Sequence, residues 1–144
     1  MTQISLNRNE KYPGEKNTNE TTTGTVLIID DEEIIRQLGS KILERAGYKV
    51  IISSSGDEGL ELYHQHHEEI DVAILDISMP GLNGIETMLK IKEEFPEARI
   101  LISTGHSIDS NLAGYIEQGM CDILQKPYRA QQLTAKINDA INKS

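Results

Sequence analysis

The 144-residue chain has no tryptophan, one phenylalanine, one cysteine and four prolines. Cys121 alone cannot close an internal disulfide, so the core must hold the fold, and a reducing cytoplasm is the compartment this cysteine usage implies. No stretch approaches the roughly 18 to 20 consecutive apolar residues that span a bilayer. The polar start from Met1 to Glu10 has no apolar segment of a secretion signal either, so no membrane partner is expected. Positive charge is scarce: 14 Lys and Arg stand against 23 Asp and Glu, a formal net charge of −9. That is the wrong sign for the phosphate neutralisation that dominates nucleic-acid affinity, and it argues against direct DNA or RNA binding. Small molecules, metal cations and other proteins remain as partners. A chain of this length buries about two-thirds of its unfolded surface, enough for one core without metal or disulfide staples.

What is present divides into a leader and one domain. Residues 1–24 contain only Ile4 and Leu6 as aliphatics, too little to offset the entropy of ordering them, and read as a disordered leader or linker. In this leader Arg8, Lys11 and Lys16 balance Glu10, Glu15 and Glu20, so all the net negative charge falls on residues 25–144. There, short aliphatic runs at Val26–Ile29, Val50–Ser53, Val72–Leu75, Ile100–Ser103 and Ile123–Leu124 read as five strands. The first four are near-continuous runs, the pattern of parallel strands covered on both faces.

Helical periodicity fills the intervals. Ile34, Ile35, Leu38, Ile42 and Leu43 mark a helix from about Glu33 to Ala46, ended by Gly47 in a left-handed cap. Ser55 and Glu58 have capping-box spacing and open a second helix carrying Leu60 and Tyr63. A third helix from about Gly84 to Glu94 stops at Phe95-Pro96. Ile108, Leu112 and Ile116 give a fourth closed by Gly119, and Leu133, Ile137 and Ile141 a fifth. Five βα units with right-handed crossovers make a single doubly wound α/β domain.

In such sheets ligands gather outside the carboxyl ends of the strands. Strand 1 ends there in Asp30-Asp31, strand 3 in Asp76, strand 4 in Thr104 and strand 5 in Lys126-Pro127. Two carboxylates ~4 Å apart at an effective dielectric of ~20 repel by about 4 kcal/mol, a cost without structural purpose unless a cation lies between them. All-oxygen donors favour Mg²⁺ or Mn²⁺ over zinc. Pro80, Gly81 and Gly84 let the chain turn sharply beside Asp76 and start the third helix.

Val26-Leu27-Ile28-Ile29-Asp30-Asp31-Glu32, Ile74-Leu75-Asp76-Ile77-Ser78-Met79-Pro80-Gly81-Leu82-Asn83-Gly84, Ser103-Thr104-Gly105 and Gln125-Lys126-Pro127-Tyr128 stand in the order and spacing of four family signatures. Over residues 25–144 the chain resembles the receiver domain of two-component response regulators. The resemblance implies a flavodoxin-like five-stranded parallel sheet in the order 2-1-3-4-5. It implies that Asp76 accepts a phosphoryl group from a sensor histidine kinase, a histidine phosphotransfer protein or a small phosphodonor. Asp31 would ligate Mg²⁺ directly and Asp30 through water, the Ser78 backbone carbonyl would complete the protein ligands with Asp76, and Thr104 and Lys126 would hold phosphoryl oxygens. Such a protein catalyses only its own phosphorylation and dephosphorylation. Ser78 and His106 occupy the flanking places that tune phosphoryl lifetime in the family. Receivers also carry an aromatic three residues before the lysine; here that residue is Ile123, which leaves a threonine-driven shift of the loop after strand 4 as the readout.

The leading expectation is a stand-alone phosphorylatable switch with nothing after Lys143-Ser144 to act as effector. It would signal to an unidentified downstream protein through the face of the fourth helix, fifth strand and fifth helix, as a monomer or a weak phosphorylation-dependent dimer. A phosphorelay intermediate and the terminal receiver of a hybrid kinase are variants. From another class comes a Mg²⁺-dependent phosphatase with an aspartyl-phosphate intermediate, but that class usually starts its nucleophile at strand 1 and adds a cap domain. A non-phosphorylated pseudo-receiver is disfavoured by the presence of all five strand-end residues. His64, His66 and His67, followed by Glu68 and Glu69, invite a metal reading, but no third ligand is spaced to close a tetrahedron, and a solvated helix end accounts for them. Cys121 reads as a small buried residue, and Met79 and Met88 as packing.

Overall fold

Runs of Val, Ile and Leu form five strands: β1 (Thr25–Ile29), β2 (Lys49–Ser53), β3 (Val72–Asp76), β4 (Ile100–Thr104) and β5 (Asp122–Gln125). They belong to a computed structural model that describes residues 23–142; the expected leader lies, as far as residue 22, outside the described residues. All four pairings are parallel and the sheet order is β2-β1-β3-β4-β5, as expected. Five helices alternate with the strands: α1 (Glu33–Arg45), α2 (Gly56–His66), α3 (Gly84–Glu94), α4 (Ser110–Glu117) and α5 (Ala130–Asn142).

Because strand side chains alternate faces, the sheet sorts its own apolar residues into two cores. Leu27, Ile29, Ala73, Leu75, Ile100 and Ile102 pack with Tyr63 of α2, Met88 and Ile91 of α3 and Leu112 of α4. Val26, Ile28, Val72, Ile74, Leu101 and Leu124 pack with Leu43 of α1 and Leu133 and Ile137 of α5. Complete burial of a Val, Leu or Ile contributes about 1.5–3 kcal/mol, and β1 is buried along its whole length. Met79, Met88 and Cys121 are in the first core, as their reading required.

Some expectations change. Coverage on both faces fails at β2, where Ile52 is 48% exposed, because β2 is an edge strand with a neighbour on one side only. The apolar set of α1 splits: Leu43 is buried and Ile35 and Ile42 half-buried, whereas Ile34 (75%) and Leu38 (38%) face solvent. Gly39 completes the inward face, and a Cβ there would stand 3.0 Å from Ile28 Cδ1. At α2 the box is half formed: Ser55 accepts the Glu58 N–H, but the Glu58 carboxylate takes the N–H of Ser54 instead of Ser55. The complete capping box is at α3, where Asn83 Oδ1 accepts the Glu86 N–H at 2.9 Å and Glu86 Oε1 accepts the Asn83 N–H at 3.0 Å. Ile108 precedes α4, which Asp109 caps through the Leu112 N–H. Gly47 (φ +101°) and Gly119 (φ +77°) follow α1 and α4 in the left-handed region, as read.

Candidate functional site

The side of the sheet that carries Ile28 and Ile74 also carries Asp30 and Asp76, two residues further along each strand. Ile29 pairs with Leu75 and Asp76 with Ser103, so Asp30, Asp76 and Ser103 form a row across the carboxyl edge of β1, β3 and β4. Asp31 follows on the turn into α1 and is exposed, whereas Asp30 and Asp76 are buried. Carboxylate oxygens of Asp30, Asp31 and Asp76 all lie within 4.8 Å of one another. The expected convergence of three acidic side chains is met.

Local bonds hold each carboxylate. Asp30 Oδ1 accepts the Glu32 N–H at 2.9 Å, and the Asp30 carbonyl accepts Arg36 Nη1 at 2.8 Å, so α1 closes back on the strand end that launched it. Asp76 Oδ1 accepts the N–H of Ser78 at 3.3 Å. Immediately after β5, Lys126 brings its ammonium to 3.0 Å from Asp30 Oδ2, 3.3 Å from Asp76 Oδ1 and 3.9 Å from Glu32 Oε1. Thr104, buried at the end of β4, accepts the His106 N–H on Oγ1 at 3.1 Å. Ser78 is exposed in the loop after β3. Gly81 in that loop has φ +74°, and a Cβ at Gly84 would fall on the Asp76 carbonyl, so the turn beside Asp76 needs both glycines.

The electrostatics follow from this geometry. Burial, and then the charge of Asp30, push the Asp76 carboxyl up to about 6, with Lys126 pulling the other way. Burial works against the Lys126 ammonium, yet its pKa is raised, because Asp30 and then Asp76 favour the charged form. Burial takes the Tyr128 phenol up to about 12. Asp30 Oδ2 is buried and, among the described residues, has no aligned hydrogen-bond donor; the Lys126 ammonium is its ion-pair partner. One ammonium cannot balance three carboxylates. Asp30, Asp31 and Asp76 could therefore hold a metal ion, and an all-oxygen set with one exposed member suits a hard divalent cation that retains water.

Sequence reasoning missed Arg36, and it quoted Glu32, Ser103 and Tyr128 only as parts of motifs. Their signal is contact with residues distant in the chain or one turn away, which composition and periodicity do not report. The histidines form no metal cluster among the described residues: His64 Nδ1 lies 3.4 Å from Glu94 Oε1, and His67 stacks on Phe95 with ring centroids 4.6 Å apart. Cys121 is buried, and its thiol is pushed up to about 11 by burial and by Asp122, the condition of an unreactive cysteine.

A five-stranded doubly wound sheet with an acidic trio and a lysine at its carboxyl edge defines the class of protein. The model of the response regulator receiver domain family matches residues 26–138, and the chain belongs to that family. Aspartate phosphorylation and Mg²⁺ are typical of it. The chain is similar to the chemotaxis protein CheY of Bacillus subtilis, 30% identical over 118 residues that cover 81% of this chain and 97% of that protein. It is 32% identical over 117 residues to a cyclic di-GMP phosphodiesterase of Thermotoga maritima, covering 81% of this chain but 31% of that protein. It spans half or less of several other curated relatives. Among solved structures, a response regulator receiver domain protein from Clostridium thermocellum matches with TM-score 0.78 and 38% identity, over 83% of this chain and 95% of that one. No helix among the described residues is long and apolar enough to cross a membrane.

Proposed function

We propose that the protein is a phosphorylatable switch of a two-component phosphorelay, with Asp76 as phosphoacceptor. The observation that carries this reading is the meeting of Asp30, Asp31 and Asp76 with the Lys126 ammonium lying between Asp30 and Asp76. A carboxylate oxygen of Asp76 attacks phosphorus, and the bond from phosphorus to the donor's leaving atom, the imidazole nitrogen of a phosphohistidine or the acyl oxygen of acetyl phosphate, breaks. The electron pair leaves with the donor. Asp31 and Asp76, the Ser78 carbonyl and, through water, Asp30 would hold Mg²⁺, with Mn²⁺ an acceptable substitute. When bound, the ion supplies positive charge beside the transferring oxygens. Lys126 holds a phosphoryl oxygen with its fixed ammonium, and the Thr104 hydroxyl gives up the His106 amide to reach another. That exchange moves the loop after β4 and is the readout, since Ile123 packs against the α2–α4 core where an aromatic would otherwise turn.

The donor partner is a sensor histidine kinase or a histidine phosphotransfer protein, and the signal passes by protein contact to a downstream protein in the cytoplasm. Incubation with acetyl phosphate or phosphoramidate and Mg²⁺ adds one phosphoryl group by intact-mass spectrometry, and Asp76→Asn takes none. Equal labelling of that variant would refute the assignment, and steady hydrolysis of a phosphomonoester would mark an enzyme instead of a switch.

A further inference from the structure

Lys126 reaches the site on a flexible four-carbon stem, so the place of its ammonium depends on how its backbone is held. Two bonds to β4 hold it. The Lys126 N–H donates to the Thr104 carbonyl at 2.9 Å, and two residues further on the Tyr128 hydroxyl lies 3.0 Å from Ser103 Oγ. Ser103 and Thr104 are consecutive, and Ser103 pairs in register with Asp76. The loop that carries the ammonium is therefore pinned on both sides of Lys126 to the strand beside the acceptor.

The second pin is not a packing requirement. The Tyr128 ring sits in the α1–α5 core, where a Cβ on Gly39 would stand 3.5 Å from it, and a phenylalanine ring would fill the same space. Ser103 is fully buried and Tyr128 6% exposed, and two hydroxyls out of water are costly unless they bond each other. We propose that Tyr128 is a positioning residue that, through Ser103, holds the Lys126 ammonium between Asp30 and Asp76; the inference rests on the reading of Asp76 as phosphoacceptor.

Tyr128→Phe is expected to slow labelling by acetyl phosphate about five- to tenfold, the size of one buried hydrogen bond. Ser103→Ala does the same, and the double variant is no slower than either single one, because both remove one bond. In a Lys126→Ala background Tyr128→Phe has no further effect on the rate, whereas a merely structural role would slow that background too. One readout is independent of labelling: the Lys126 ammonium, held by two carboxylates, gives a slowly exchanging ¹⁵N signal in the metal-free protein. That signal is lost in Tyr128→Phe while Mg²⁺ affinity by calorimetry does not fall. Should Tyr128→Phe not fold, Ser103→Ala is read in the same way. A wild-type rate and ammonium signal in the folded variants, equal slowing in the Lys126→Ala background, or a loss of Mg²⁺ affinity overturns the proposal. Wild-type protein that takes no label overturns the phosphoacceptor reading instead, and the ammonium signal still decides whether Tyr128 positions Lys126.

Discussion

Asp76 is ionised against the pull of its surroundings. Its carboxyl titrates near 6 when folded against an ordinary value of 3.8, so between these pH values the folded protein holds a proton that the unfolded chain releases. Stability in metal-free buffer therefore falls as pH rises through this window, the reverse of a salt-bridged carboxylate. Asp76→Asn removes the cost and is expected to be more stable than wild type at neutral pH by up to about 3 kcal/mol, the gap closing as pH falls towards 4. Thermal melts in chelator across this range check it; a gap independent of pH would show that burial of the charge is not its cause. Asp30, Asp31, Asp76, Thr104 and Lys126 were legible as strand-end residues because the aliphatic run before each one ends where it does. The roles of Arg36 and Ser103 were not, since a guanidinium on a helix and a serine in a strand take them from the Asp30 carbonyl and the Tyr128 hydroxyl.

At the scale of the element, the start of α3 shows how a loop places the Asp76 carboxylate. Asn83 and Glu86 close the capping box, and Gly84 lies so near the end of β3 that no side chain fits between them. Gly84→Ala should gain about 1 kcal/mol of helix propensity and lose more by driving a methyl into the Asp76 backbone, for a net loss of about 1–3 kcal/mol. Gly114 of α4 is the contrast: a Cβ there meets nothing within 4 Å, so Gly114→Ala is expected to stabilise by up to about 1 kcal/mol. Urea denaturation of the two variants tests both signs, and stabilisation by Gly84→Ala would show that the strand end can yield. Helix periodicity located α1 but misassigned part of its inward face. Ile34 and Leu38 fit the apolar stripe, yet the sheet is approached through Gly39, which a hydrophobicity pattern does not register.

At the scale of the whole molecule, residues 25–144 carry a strong negative charge and concentrate three carboxylates on one edge. A cation that binds there and not to the unfolded chain stabilises by mass action, about 1.4 kcal/mol at ten times its dissociation constant. Millimolar Mg²⁺ should raise the melting temperature of wild type, and Asp31→Asn should remove most of the rise, because Asp31 is the exposed member of the trio. No shift up to tens of millimolar would count against the acidic site.

By itself the sequence determined the number, order and type of the elements and the acidic strand ends. Apolar periodicity, glycine and proline stops and the residue closing each run are local properties, readable without knowing what lies across the sheet. Tertiary structure alone decided that β2 is an edge, which side of α1 meets solvent, how far the Asp76 carboxyl is shifted and that Tyr128 closes on Ser103. Each of these depends on the distance between residues remote in the chain, and burial and hydrogen bonding act through that distance.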